Sequence, residues 1–81
     1  MRDLMRQIEA LAAREQARRV VMVRVRLGAL CHMSGEHFRE HFEEAAKGTV
    51  AEGAALEIKV SDDIRDPHAQ DVLLRSIDVE S

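Results

Sequence analysis

The chain has 81 residues, which is room for one small domain and excludes enzymes built from two lobes, dinucleotide-binding folds and barrels. Hydrophobic residues make up 46% of the chain and charged residues 33%, a balance that fits a folded protein and excludes a disordered one. The formal net charge of −3 and the presence of only two aromatic residues, Phe38 and Phe42, argue against a nucleic-acid-binding protein, which uses a basic surface and stacking platforms.

The first predicted element is a helix over residues 3–18. Leu4, Ile8 and Leu11 recur at helical spacing and form one apolar stripe. An acidic residue near the start and arginines near the end suit the helix dipole, which favours negative charge at the N-terminus. We therefore expect one face of this helix to pack on a core.

A β-branched segment over residues 20–27 is predicted to be a strand, because apolar and polar residues nearly alternate along it. Its core-facing side is predicted to consist of Val21, Val23, Val25 and Leu27. The opposite side, expected to be solvated and basic, carries Met22, Arg24 and Arg26.

A second helix is predicted to begin at Ser34, whose hydroxyl can accept a hydrogen bond from a free backbone N–H group. Phe38, Phe42 and Ala45 lie at helical spacing and are expected to face the core. Gly48 ends the helix, because glycine readily adopts the positive φ of a helix terminus.

Two further strands are predicted in the second half of the chain. The first is half-buried, since Leu56, Ile58 and Val60 alternate with charged residues. The last, over residues 71–80, changes its apolar period midway, and one extra residue near 75–76, a β-bulge, would correct the period. The bulge would place four side chains on one face: Val72, Leu74, Ile77 and Val79.

The predicted order is helix–strand–helix–strand–strand within a single domain over residues 1–81. The fold class is α/β, as an α+β two-layer arrangement in which two helices cover one face of a three-stranded sheet. The first two strands should be parallel, with a right-handed crossover, and the last antiparallel, so the sheet is mixed. The other face should be solvated and carries charges of both signs: Arg24, Arg26, Glu57, Lys59, Asp78 and Glu80.

A group of histidines is a candidate metal site. His37, His41 and Glu44 lie along one stripe of the second helix, where two imidazoles four residues apart suit one metal ion. The alternative is that these side chains simply lie at the solvent edge beside the core. Residues 37–41 also match the H-x-x-E-H pattern of inverted zinc proteases, but nothing in the chain supplies the substrate cleft, so we expect no catalytic residue.

Cys31 is the only cysteine, so the chain has no intrachain disulfide and no paired-cysteine metal site. A half-buried structural role is expected for it. The start lacks the continuous apolar run of a signal peptide, and no segment approaches transmembrane length. We therefore expect a cytoplasmic protein without membrane association.

Five short motifs occur in order along the chain: Leu27-Gly28-Ala29-Leu30, Phe42-Glu43, Gly48-Thr49, Ala51-Glu52-Gly53-Ala54 and Leu56-Glu57-Ile58. This ordered set closely resembles the central block of the HypA/HybF family, the nickel-incorporation proteins of hydrogenase maturation. The segment 74–80 is similar to the closing strand of that family, and Met1-Arg2-Asp3-Leu4 is similar to its start. The resemblance implies the fold of the family's nickel-binding domain over most of the chain.

The resemblance also implies a nickel site around the histidine that follows the initiator methionine. Here the corresponding residues are Met1, Arg2 and Asp3, and a guanidinium has no lone pair for a metal, so nickel binding should be weak or lost. The family places a zinc domain between its last two main strands. This chain has only the short loop 61–70 there, without a cysteine, so no structural zinc is expected.

These features predict a non-enzymatic accessory protein of [NiFe]-hydrogenase maturation that acts through protein contacts. The resemblance implies two partners, a maturation GTPase and the hydrogenase large subunit. A homodimer is favoured over a monomer, and residues 20–27 would be its pairing strand if they lay at a sheet edge. The alternative function is a stand-alone protein-interaction or homo-oligomerising module with no metal role.

Overall fold

Five segments of regular structure follow one another in the predicted order. The computed structural model describes residues 1–81. Its helices and strands are α1 (Arg2–Arg14), β1 (Arg19–Leu27), α2 (Gly35–Ala46), β2 (Ala55–Val60) and β3 (Val72–Glu80). Two helices and a three-stranded mixed sheet confirm the predicted α+β fold class.

The first helix is shorter than predicted, although it contains the whole apolar stripe. It ends at Arg14 rather than near residue 18, and Gln16 takes a positive φ of 53°. A residue in the left-handed region ends helical hydrogen bonding, so the chain turns there and enters β1. The buried residues of α1 are Leu4, Met5, Ile8 and Ala12.

The central strand of the sheet is β1, in the order β2-β1-β3. It pairs in parallel with β2, from Met22 opposite Ala55 to Leu27 opposite Val60, and it is antiparallel to β3. The predicted mixed sheet is therefore confirmed. Residues 20–27 cannot be the pairing strand of a dimer, because both hydrogen-bonding edges of β1 are occupied, and the free edges belong to β2 and β3.

The predicted bulge in β3 is present. Arg24 pairs with Ser76 and the next residue, Val25, pairs with Leu74, so Arg75 is the extra residue. The bulge turns the apolar residues on either side of it toward the core, as predicted. These residues are Val72, Leu74, Ile77 and Val79.

A second bulge, at Val21 in β1, corrects the predicted core face. Val20 pairs with Val79 and Met22 pairs with Asp78, so Val21 is the extra residue. The prediction that Val21 faces the core is wrong, since it is 37% exposed whereas Val20 is 1% exposed. The remaining predicted core residues of β1 are buried: Val23, Val25 and Leu27.

Both helices lie on the same face of the sheet, α1 against β3 and α2 against β2. Phe38 and Phe42 of α2 are almost completely buried, with ring centroids 6.4 Å apart. Burial of each ring contributes roughly 1.5–3 kcal/mol, which fixes α2 and its solvent-facing side relative to the sheet. No helix of the protein has the length and apolar character needed to span a bilayer.

Candidate functional site

The N-terminal residues are held at the start of α1. The helix begins at Arg2, and the carbonyl of Met1 accepts a hydrogen bond from the N–H of Met5 at 3.0 Å. Leu4 and Met5 are buried in the core, whereas Met1, Arg2 and Asp3 are exposed. The buried pair therefore anchors the segment and leaves its first three residues in contact with solvent.

The donor set of these three residues is poor for a metal ion. The α-amine of Met1 and the carboxylate of Asp3 can each supply a lone pair, whereas the guanidinium of Arg2 supplies none and adds a positive charge. Asp3 also lies in the first turn of α1, where negative charge stabilises the helix dipole. The segment therefore offers two donor groups to a metal ion, the α-amine and one carboxylate.

His37 and His41 are brought together on the exposed side of α2. Their ring centroids are 4.8 Å apart and their planes are inclined by 15°, which is a stacked arrangement. Ser34 caps the helix just before them, and its Oγ accepts a hydrogen bond from the N–H of His37 at 3.2 Å. The two histidines of the predicted stripe are therefore close neighbours, while His32 lies before the helix.

Glu44, the third residue of that stripe, is engaged elsewhere. Its carboxylate accepts a hydrogen bond from Nζ of Lys47 at 2.9 Å. This bond lowers the pKa of Glu44 and raises the pKa of Lys47. The structure contains no group of three or more His, Cys, Asp or Glu side chains arranged to hold a metal ion, so Glu44 does not complete a site with the histidines.

The H-x-x-E-H segment lies on an open surface. His37, Glu40 and His41 are all exposed, and neither of the two surface grooves of the protein includes a residue of α2. The protease mechanism needs a third metal ligand and a substrate cleft beside the metal. The geometry around this segment provides neither.

The connection between β2 and β3 is anchored to the end of the central strand. The N–H of Leu30 donates to the carbonyl of Ala69 at 2.7 Å, and the N–H of Gly28 donates to the carbonyl of Asp71 at 2.9 Å. Ala69 is the one buried residue of the polar loop predicted over 61–70. The loop is therefore an ordered segment that packs on the end of β1.

An ion pair that was not predicted from the sequence fixes the same loop to the sheet. Arg26 contacts the carboxylate of Asp66 at 3.1 Å and donates to Oγ of Ser61 at 2.9 Å. Asp66 is only 18% exposed and accepts a hydrogen bond from the N–H of His68. Asp63 accepts a hydrogen bond from the N–H of Arg65 in the same way, so each aspartate forms a turn with the residue two positions after it. Aspartates in a polar loop favour such turns and are the sequence signal that could have predicted both.

The centre of the outer sheet face is neutralised by ion pairs around Arg24. Its guanidinium lies 3.0 Å from Asp78 and 3.5 Å from Glu57, and it donates to Oγ of Ser76 at 3.4 Å. The hydrogen bond between Arg24 and Asp78 raises the pKa of the guanidinium and lowers that of the carboxyl group. The predicted face of mixed charge is present, and its central charges are already paired.

Positive charge without an ion-pair partner lies at the loop end of that face. A groove of about 360 Å³ is lined by seven residues, among them three cations, Arg26, Lys59 and Arg75, and two carboxylates, Asp62 and Asp63. Lys59 and Arg75 make no ion pair within the protein. Arg75 is the extra residue of the β3 bulge, and bulges commonly redirect a side chain in this way.

Comparisons with known proteins point to one family. The model of a family described as "Hydrogenase/urease nickel incorporation, metallochaperone, hypA" matches residues 1–64. A protein of Archaeoglobus fulgidus named hydrogenase maturation factor HypA is 44% identical over 57 residues, covering 70% of the chain and 52% of that protein. A protein of the same name from Methylocella silvestris is 50% identical over 42 residues, covering 52% of the chain and 37% of that protein. The matched region thus spans about half of the first relative and less of the second.

Proposed function

Because this chain belongs to the HypA family of hydrogenase and urease nickel-incorporation proteins, we propose that it is an accessory protein in the maturation of a nickel enzyme, a [NiFe]-hydrogenase. The observation that carries the proposal is the extent of the family match. Residues 1–64 include both helices and the two parallel strands, so the match covers the scaffold that positions the N-terminal residues. The protein would have no catalytic step of its own.

The proposed role rests on protein contacts more than on metal transfer. The family's nickel site, as the resemblance implies it, falls on Met1, Arg2 and Asp3, and Arg2 replaces the imidazole that would ligate the ion. The remaining donors, the α-amine and one carboxylate, support weakened or lost nickel binding there.

We propose that in this chain the short β2–β3 loop takes the place of the family's zinc domain. The loop is anchored by Arg26 and by backbone bonds to Gly28 and Leu30, and these contacts need no metal. The chain has one cysteine, Cys31, and a structural zinc site needs four ligands. We infer a single domain over residues 1–81 whose folding is independent of zinc.

The partners would be a maturation GTPase and the large subunit of the hydrogenase. The unpaired cations Lys59 and Arg75 support contact with an acidic surface on one of them. Replacing both by glutamine should weaken binding to the purified partner, and binding should become less sensitive to salt. The matched control replaces Arg6 and Arg14, which are exposed on α1 and make no ion pair.

The test of the function is deletion of the gene in its host. We expect the nickel content of the hydrogenase large subunit and its activity to fall together, and to return when the wild-type chain is supplied. Unchanged nickel content and activity would contradict the proposal.

The second candidate is a stand-alone interaction or homo-oligomerising module. It is favoured by the free edges of β2 and β3, and by two exposed apolar residues, Val60 at the end of β2 and Ile64 in the loop that follows, which are 63% and 65% exposed. Sedimentation equilibrium over a wide concentration range tests it. A species near 9.1 kDa that persists at high micromolar concentration would exclude self-association.

A further inference from the structure

A pair of exposed imidazoles lies outside the N-terminal segment and outside both grooves. His37 and His41 stack on the solvent side of α2 with ring centroids 4.8 Å apart. We propose that this pair is a chelating site for one late first-row divalent ion, Ni²⁺, Cu²⁺ or Zn²⁺, held by one nitrogen of each ring. The proposal rests on the geometry of α2 alone and is independent of the role in enzyme maturation.

The spacing of the two histidines suits one ion. Residues four apart on a helix have Cβ atoms about 5–6 Å apart on the same side. Imidazole is a preferred ligand of these three metals, with metal–nitrogen distances of about 2.0–2.1 Å for zinc. The rings already lie side by side, so binding requires rotation of the two side chains and no movement of the backbone.

The backbone under the pair is fixed by packing on the opposite side of the helix. Phe38 and Phe42 follow His37 and His41 in sequence and are 2% and 1% exposed. Ser34 further holds the first turn through its bond to the N–H of His37. A rigid helix loses little conformational entropy when the ion binds, which is what makes a two-ligand site measurable.

The charge of α2 favours a cation. The helix carries four glutamates: Glu36, Glu40, Glu43 and Glu44. Its one arginine, Arg39, is directed toward the sheet, where it donates to the carbonyl of Leu56 at 3.2 Å. Lys47, just beyond the helix, is paired with Glu44. The field at the two imidazoles is therefore set largely by carboxylates, which attract a divalent ion.

The affinity should be moderate, because the protein supplies two ligands and water supplies the rest. Glu44 remains on Lys47 and contributes no third ligand. Replacing Lys47 by methionine releases the carboxylate of Glu44, which lies one turn beyond His41, so nickel should bind several-fold more tightly. That gain should disappear when Glu44 is also replaced by glutamine.

The experiment is calorimetric titration of the full, tag-free chain with NiCl₂ and ZnCl₂. We expect one ion per chain, and we expect His37→Gln and His41→Gln each to weaken binding at least tenfold. The double variant should bind more weakly still, because neither imidazole of the pair remains. His32→Gln and His68→Gln are the matched controls and should leave the affinity unchanged. Both helix variants should keep the wild-type melting temperature, since the two side chains are exposed.

Three results would overturn the site. The first is the absence of any binding by the wild-type chain. The second is binding that survives both helix substitutions and disappears when the α-amine is acetylated, which would assign the ion to the N-terminal segment. The third is one ion per two chains, which would mean that the ion bridges two copies. None of these results depends on whether gene deletion affects hydrogenase maturation.

Discussion

Gly28 and Ala69 approach each other so closely that no side chain fits between them. A Cβ atom at Gly28 would lie 2.1 Å from the carbonyl oxygen of Ala69 and 2.6 Å from that of His68. Both are backbone atoms, which cannot move aside as a flexible side chain would. The β2–β3 loop can pack on β1 only because position 28 is glycine.

The first prediction is that Gly28→Ala destabilises the protein by about 2–3 kcal/mol, because the loop must shift away from the end of β1. The control is Gly35→Ala, where the new Cβ would lie 3.9 Å from Ile58, an ordinary contact, and would be neutral or slightly stabilising. Urea denaturation measures both. Equal stability of the two variants would show that the loop contact is not needed for folding.

The second prediction concerns the half-buried ion pair between Arg26 and Asp66. Asp66→Asn removes the charge but keeps an oxygen for the N–H of His68, so we expect a loss of about 0.5–1.5 kcal/mol that shrinks at high salt. Glu9→Gln changes an exposed carboxylate of α1 that makes no ion pair and should have no effect. The measurement is a set of thermal melts at low and high salt, and a salt-independent loss would contradict an ionic origin.

The third prediction is a pH dependence that comes from Asp78. Arg24 holds the pKa of this carboxyl group below its ordinary value of 3.8, so the ionised form is favoured in the folded state. The interaction of Arg24 with ionised Asp78 stabilises the folded state fully at pH values above the unfolded-state pKa of about 3.8. Below that pH the stabilisation is lost progressively, because Asp78 becomes protonated in the folded state as well. The difference in stability between wild type and Asp78→Asn should therefore be constant from pH 5 to 7 and shrink toward pH 2.5. A difference that grows with acid would refute this assignment.

The fourth prediction is that Arg2→His raises the affinity for Ni²⁺ at least tenfold, because an imidazole supplies the lone pair that a guanidinium lacks. The titration is made in chains that also carry His37→Gln and His41→Gln, so that only the N-terminal segment is measured. Acetylation of the α-amine should remove the gain. A tight one-to-one site in the chain that carries His37→Gln and His41→Gln but keeps Arg2 would contradict the prediction.

The fifth prediction is that removing metal leaves the fold intact. The core consists of 13 buried hydrophobic residues, and the loop is fixed by hydrogen bonds and an ion pair, so no thiolate site supports the structure. Circular dichroism melts with and without EDTA should give the same Tm. A drop of several degrees in EDTA would mean that a bound ion contributes to stability.

The sequence predicts those features of the fold that change the spacing of apolar residues along the chain. The bulge at Arg75 is predictable because the apolar residues of β3 change parity around it. The bulge at Val21 is not, because Val20 and Val21 are both apolar and either could face the core. The central position of β1 is also not predictable, because it is set by pairing with distant residues and not by the alternation within the strand.

The candidate sites, too, include some features that local sequence predicts and others that depend on the whole fold. Four-residue spacing alone indicates that His37 and His41 are neighbours on α2. The pairing of Glu44 with Lys47 was open to prediction, since opposite charges three residues apart on a helix attract each other. The groove beside Lys59 and Arg75 was not, because it depends on the bulge and on the position of the loop.

The central position of β1 also shapes the kinetics of folding. One of its two neighbours is far away in sequence: Arg19 and Glu80 are paired across a separation of 61 residues, and Arg24 and Ser76 across 52. Such contacts give a high contact order, and their loop-closure entropy must be overcome before they contribute to stability. We therefore expect slower refolding than for a helical bundle of this size. Until β3 docks, one edge of β1 remains open, and this is the interval in which the chain is most exposed to aggregation.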